Sequence, residues 1–387
     1  MAGLYSWGSE LPDEGNLTHY RFFQGGRFQI KGTKNRNVSF NLSYRAVKSF
    51  GDYTGNEYGN RLYNAYLRIT SKVVDLNLGR QYVFAGVGYG TMDGAKATFH
   101  LGDYADLVSY AGTVSSAHEG FEFQEWDRSH MFGVHLKTDR LWDSDLGLSF
   151  INKERTPNNS YSDSRNRSQE SHLFGLDFRK DFTPRWMTST RLEMDVADGE
   201  HRFDRAEVYT RVRPGQKWFL SGEYYYRKPR IRRNSIFRVF RQYDNQEVWM
   251  KATVQVNNTW SLYGGVSGIF YHDESATRLN AGFTGGLVTV NLFKTLGYAG
   301  SIDGGTGGFQ IPLHPRVTAL GGIYLSRYKL YEDADDYDNM ASSYWGLSWM
   351  PTDDWTVDAE AQALHNKVFS RDMRFFFRLS RRVSLGR

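Results

Sequence analysis

The chain has 387 residues, a net charge of +5 and an isoelectric point near 9.1, a basic bias too mild for a nucleic-acid-binding signature. It contains no cysteine, which excludes disulfides, thiolate metal sites and covalent haem attachment, and it lacks the run of about 18 apolar residues that a transmembrane helix needs. Aromatics nevertheless reach 16% at a mean hydropathy of −0.59, and 39 glycines face only 8 prolines, a composition suited to long sheets with tight turns.

The opening stretch, MAGLYSWGSELPDEGN, lacks the basic and long apolar regions of a secretory leader, so residue 1 is expected to lie near a mature end. Residues 1–16 are expected to form either one extra strand or a periplasmic tail, ahead of a single domain spanning 17–387. From there on, side chains alternate with period two, the signature of strands with one apolar face. In NVSFNLSYRA, Val38, Phe40, Leu42 and Tyr44 oppose Ser39, Asn41, Ser43 and Arg45. RLYNAYLRI sets Tyr63, Ala65, Leu67 and Ile69 against Asn64, Tyr66 and Arg68. SHMFGVHLK sets Phe132, Val134 and Leu136 against His135 and Lys137, and LFGLDFRK sets Phe174, Leu176 and Phe178 against Asp177 and Arg179. Further on, Leu192, Met194 and Val196 oppose Arg191, Glu193 and Asp195, and Val248, Met250, Ala252 and Val254 oppose Glu247, Lys251 and Thr253. WTVDAEAQAL and MRFFFRLSRRVSL close the series, with Asp358, Glu360, Arg374 and Arg378 on the polar side.

Connections alternate as well. Short ones (GTKNR, SK, RPGQ, NNT, TDD) are followed by longer polar ones, which describes an up-and-down antiparallel meander of roughly 20 strands, within a range of roughly 18–22. A soluble sheet of this size needs a second layer, and no propeller-like repeat is present. A closed barrel needs no second layer if lipid bathes the apolar side. Arg or Lys at a bilayer midplane costs about 2–4 kcal/mol, so the arginines must face inward, and parity puts them there. Trp186, Trp218, Trp260 and Trp355 near short turns fit an interfacial belt. The fold expected is therefore an all-β transmembrane up-and-down barrel of the bacterial outer membrane, with short periplasmic turns and longer extracellular loops.

The lumen is expected to carry Arg45, Arg68, Arg179, Arg191, Arg205, Arg211, Arg227, Lys251, Arg374 and Arg378, with Glu193, Glu207, Glu223, Asp358 and Glu360. Basic positions lead modestly, and such a lumen concentrates anions. Many of these charges can also pair across strands, as Glu193 with Arg205 or Glu207 with Arg227. The densest charge run, YYYRKPRIRRNSIFRVFRQ, places Arg230, Arg232, Arg233, Arg238 and Arg241 on the outer side. They can fold inward to read an anionic solute, meet phosphates of outer-membrane lipid and lipopolysaccharide, or stay solvated. In YEDADDYDN, Asp333, Asp335, Asp336 and Asp338 are close enough to hold calcium, although a solvated loop is the favoured reading.

One segment carries a family likeness. In DLNLGRQYVFAGVGYGTMDGAKATF (75–99), Gly79-Arg80-Gln81 ends one strand, a glycine-rich loop follows, and Asp93-Gly94 opens the next. This resembles the G-R-Q…D-G hairpin of alginate-export-type and related porin-like outer-membrane barrels. The resemblance implies a solute- or polymer-conducting barrel with an arginine-lined lumen, and makes Arg80, Gln81 and Asp93 pore-lining candidates. Arg80 shares the lipid-facing parity of Leu76 and Leu78, so that role requires a bulge at Gly79.

Three functions follow as expectations. The first is a channel for polar or anionic solutes or an anionic polysaccharide, with no cofactor. The second is a barrel sheathing a periplasmic partner protein such as a multihaem cytochrome, whose haems a cysteine-free chain cannot itself attach. The third, a barrel enzyme using His118 or His272 with Asp273 and Glu274, lacks a placed nucleophile and is set aside.

Overall fold

The computed structural model describes residues 1–11, 15–32, 37–51, 59–115, 124–155, 169–196, 202–228, 244–272, 274–297, 301–329 and 336–383. Among them are 22 strands and no helix. The first eleven are β1 (Ala2–Leu11), β2 (Gly15–Lys31), β3 (Val38–Gly51), β4 (Asn60–Thr70), β5 (Val74–Ala85), β6 (Gly88–Leu101), β7 (Ala105–Val114), β8 (Ser129–Leu141), β9 (Ser144–Arg155), β10 (Gln169–Thr183) and β11 (Trp186–Asp195). The others are β12 (Arg202–Val212), β13 (Trp218–Arg227), β14 (Asn245–Gln255), β15 (Trp260–Tyr271), β16 (Glu274–Gly285), β17 (Val288–Gly297), β18 (Ser301–His314), β19 (Val317–Lys329), β20 (Asp338–Thr352), β21 (Trp355–His365) and β22 (Arg371–Arg381).

Each strand pairs antiparallel with its neighbours in sequence. β1 pairs with both β2 and β22, Ala2 opposite Leu379 and Glu10 opposite Arg371, so the sheet closes on itself and leaves no edge. The expected strand number therefore falls at the upper end of its range. LYSWGSEL supplies the extra strand: residues 1–16 are not a tail but hold β1, and β2 has already begun at Gly15.

One face of the wall is apolar and uncovered by protein, with Leu292, Leu325 and Phe375 each at least half exposed. The other face carries the arginines. That this face is the interior follows from one long-range contact: Arg191 Nη2 on β11 donates to the Gly86 carbonyl at the β5–β6 tip, 3.5 Å away. These strands are far apart around the wall, so the contact must cross the lumen. At the end where the short turns lie, Trp186, Trp218 and Trp260 point outward and are 40–50% exposed. Arg381 lies over the Trp355 ring at 5.2 Å, the arrangement of a cation at an interface.

Two local corrections emerge. The connections at the opposite end are not uniformly long: β5–β6 turns through Gly86 and Val87 alone, and β15–β16 through residues 272–273. In β4, the register slips between Ser43/Asn64 and Tyr44/Leu62, so Tyr63 is bulged out of the apolar row and Leu62 takes its place.

Candidate functional site

The site is the lumen, and the element that shapes it is the β5–β6 hairpin. β4 pairs with β5 only as far as Ala65–Arg80, and β6 with β7 only as far as Met92–Val114. Beyond those pairs the hairpin leaves the wall. The fold line is Gly79, at φ +120°, where a Cβ would stand 2.3 Å from the Ala65 carbonyl oxygen, so no other residue fits. The Gln81 side-chain amide spans the bend, donating to the carbonyls of Asn77 at 3.2 Å and Gly94 at 3.4 Å.

Past the bend, one side of the hairpin packs on the inner wall of β7–β10. Val83, Ala85, Val87 and Met92 bury against Val108, Tyr110, Val114, Met131, Ile151 and Leu173, all at most 7% exposed. The Val87 amide donates to Ser149 Oγ at 3.1 Å. Gly175 makes room, since a Cβ there would stand 2.2 Å from Val87 Cγ1. The other side of the hairpin presents Tyr82, Phe84 and Tyr89 to the lumen, 54–67% exposed. Beside the tip a cavity of about 770 Å³ is lined by Phe84, Asp106, His135, Lys137, Asp177, Arg179 and Arg191, among others.

Arg80 therefore does not line open water. It is 4% exposed and forms a bidentate pair with Asp93, Nε to Oδ1 at 2.7 Å and Nη2 to Oδ2 at 2.8 Å. The bulge anticipated at Gly79 is absent from the β4–β5 register; the positive φ does that work instead. Gln81 is likewise buried, at 2%. The resemblance located the hinge of the hairpin rather than the surface of the pore.

Other lumen candidates face inward as parity requires, and many are laddered. Arg191 pairs with Asp177 at 2.9 Å, Arg205 with Glu193 at 3.6 Å and Glu207 at 2.6 Å, and Arg68 with Asp75 at 2.9 Å. Arg378 meets Asp358 at 2.9 Å, and Arg374 meets Asp372 at 2.7 Å while lying over Trp7. Lys251 sits over Tyr263 at 4.3 Å, Arg45 over Phe23 at 4.8 Å, and Glu360 accepts from Gln362. Glu207 does not reach Arg227: register puts Arg227 opposite Arg205 and Tyr225 opposite Glu207. Arg27, Arg179, Arg211 and Arg227 carry no ion pair among the described residues, and Glu223 faces inward between Glu207 and Glu247 on the flanking strands.

Sequence reasoning missed a sorting of charge by sector. β2, β3 and β4 contain no Asp or Glu, yet their inner face holds Arg21, Arg27, Lys31, Arg45, Arg61 and Arg68. A count of acids strand by strand would have revealed it. Arg230, Arg232, Arg233, Arg238 and Arg241 lie outside the described residues, as do Asp333, Asp335, His118 and Asp273. Asp338 is engaged by Lys367 at 3.1 Å, and no metal-ligating cluster occurs among the described residues.

A closed antiparallel barrel with a bare apolar outside, tryptophans along one end and a charged lumen defines a β-barrel membrane protein of the bacterial outer membrane. No protein-family model and no curated protein matches the chain. Solved structures do. The siderophore receptor PirA from Pseudomonas aeruginosa is similar at 9% identity, over 99% of this chain and 80% of that one, with a TM-score of 0.56. A mutant ferric enterobactin receptor PfeA from the same organism is similar at 8% identity, over 98% and 80%, with a TM-score of 0.60. OpdQ, also from P. aeruginosa, overlaps 97% of each chain at 8% identity and a TM-score of 0.43. What the chain has in common with PirA and PfeA is the outer-membrane barrel fold.

Proposed function

We propose that the protein is a channel of the outer membrane that admits polar solutes with a preference for anions, whether small acids or a strand of an anionic polymer. The observation behind this reading is the pairing of an inward hairpin with an acid-free basic wall. The hairpin docks its apolar side against β7–β10 and meets β4 where the Tyr82 amide donates to Asn64 Oδ1 at 3.3 Å, so its packed side covers β7–β10 rather than the basic inner face of β2–β4. Elsewhere carboxylates are interspersed with the cations and many are paired with them, as Asp177 with Arg191 and Asp358 with Arg378, so this acid-free stretch is the most one-sided part of the inner face. A low-dielectric wall of one sign raises the local concentration of counter-ions. The reading assigns the barrel no reaction.

The test is conductance in planar bilayers under a salt gradient. A steady conductance with the reversal potential on the anion side is expected, and Arg27→Glu with Arg45→Glu should move it toward cations. A silent barrel, or a selectivity indifferent to both substitutions, would refute the assignment. A sheath around a periplasmic partner fits less well, because the docked hairpin occupies lumen that an inserted domain would require.

A further inference from the structure

The lipid-facing parity of β17, β18 and β19 carries charges where hydrocarbon-compatible residues are expected. On β17, Lys294 stands in the outward row between Leu292 and Leu296, which are 61% and 41% exposed. Register sets Lys294 opposite Asp303 on β18, and Asp303 opposite Arg327 on β19, in line with outward Leu325. Asp303 bridges the two cations: Oδ1 lies 3.2 Å from Lys294 Nζ, and Oδ2 lies 3.2 Å from Arg327 Nη2. Lys329 continues the same row, and the Tyr337 ring holds both neighbours, with Arg327 at 5.1 Å and Lys329 at 4.7 Å from its centroid. Two cations thus share one carboxylate, and a third, Lys329, joins Arg327 at the Tyr337 ring, so that three cations are grouped on the outside of the barrel.

The position along the strands matters as much as the sign. Lys294 is near the end of β17, Asp303 near the start of β18 and Arg327 near the end of β19, all at the end away from the short turns. Lys48, Lys180 and Arg381 are also outward, and each lies over one ring: Phe50, Phe182 and Trp355 respectively. Those are anchors that need no ligand. The Lys294–Arg327–Lys329 group has its ammonium and guanidinium donors 49–61% exposed at Lys294 and Arg327, and among the described residues Asp303 is the one carboxylate that pairs with them.

We infer that this group is a binding site for the phosphate of a phosphorylated lipid in the outer leaflet, with Arg327 supplying paired donors and Lys294 and Lys329 point charges. Asp303 keeps Lys294 and Arg327 extended side by side, so that the site is arranged before the lipid arrives. The flanking Leu292, Leu296, Ile323 and Leu325 would receive the acyl chains.

The test is native mass spectrometry of the purified full chain exposed to bis-phosphorylated lipid A, to the same lipid without phosphates, and to inorganic phosphate. Wild type should retain the phosphorylated lipid selectively. The triple variant Lys294→Gln, Arg327→Gln, Lys329→Gln should lose roughly a hundredfold in retention, since each cation near an anionic surface contributes about fivefold. Lys48→Gln, on the same outer face, should retain the lipid and serves as the folding control alongside the heat-shifted gel mobility of a closed barrel. Equal retention of dephosphorylated lipid, undiminished retention by a folded triple variant, or equally tight capture of inorganic phosphate would each overturn the proposal.

Discussion

Arg80 and Asp93 show how far a single pair can be asked to carry an element. Both side chains are at most 5% exposed, and they meet where the hairpin departs from the wall. Removing one partner of such a pair leaves a buried charge uncompensated, at a cost of about 3–5 kcal/mol, whereas replacing both with apolar groups of similar size is often neutral. Arg80→Ala should therefore lower the urea midpoint of unfolding in lipid vesicles, and Arg80→Met with Asp93→Leu should recover most of the loss; equal loss in both would mean that the pair is not what holds the bend. At this scale the sequence was readable wherever the strand was regular. Arg45, Arg68, Arg179, Arg191, Arg205, Arg211, Arg227, Lys251, Arg374 and Arg378 all face inward by parity alone. Arg80 escaped because parity stops being informative at a glycine with φ +120°, and Arg61 escaped because the bulge at Tyr63 shifts the row.

The hairpin as an element left a fainter trace. Its docking surface is written on the inner parity of β7–β10, where Val108, Tyr110, Val114, Met131, Ile151 and Leu173 stand in place of charged residues. Those strands are apolar on both faces over part of their length, which is unexpected for a water-filled barrel and marks something resting against the inside. The glycine-rich run after Arg80 was visible, but which way it folds depends on contacts with strands 50 to 100 residues away. A cysteine-free chain makes the docking testable. Val87 Cβ lies 3.3 Å from where a Cβ on Gly175 would stand, close to the roughly 3.5–4.5 Å that a disulfide spans. Val87→Cys with Gly175→Cys should cross-link under oxidation and leave mean conductance unchanged, since the bond fixes the hairpin where it already sits. A fall or rise in conductance on oxidation would show that the conducting state holds the hairpin elsewhere. Val87→Asp should instead undock it, because burying a lone carboxylate among Ile151 and Leu173 is unfavourable, and conductance should increase.

At the scale of the molecule, closure is the condition on which every inward and outward assignment depends. The β1–β22 seam runs from Ala2–Leu379 to Glu10–Arg371. Deleting residues 2–11 would expose two unpaired edges in β2 and β22, and edges of that length invite aggregation. The truncated chain should fail to give the compact, heat-modifiable band of a folded barrel on cold gels; a stable monomeric band would show that the remaining strands can close without β1. The hairpin's attachment at one side of the wall has a consequence for what gets through. An obstruction leaning on β7–β10 shifts the free space of the lumen off-centre and puts the rings of Tyr82, Phe84 and Tyr89 along one margin of it. A channel so narrowed would sieve solutes by their thinnest dimension, passing slender or flat ones ahead of rounder ones of equal mass.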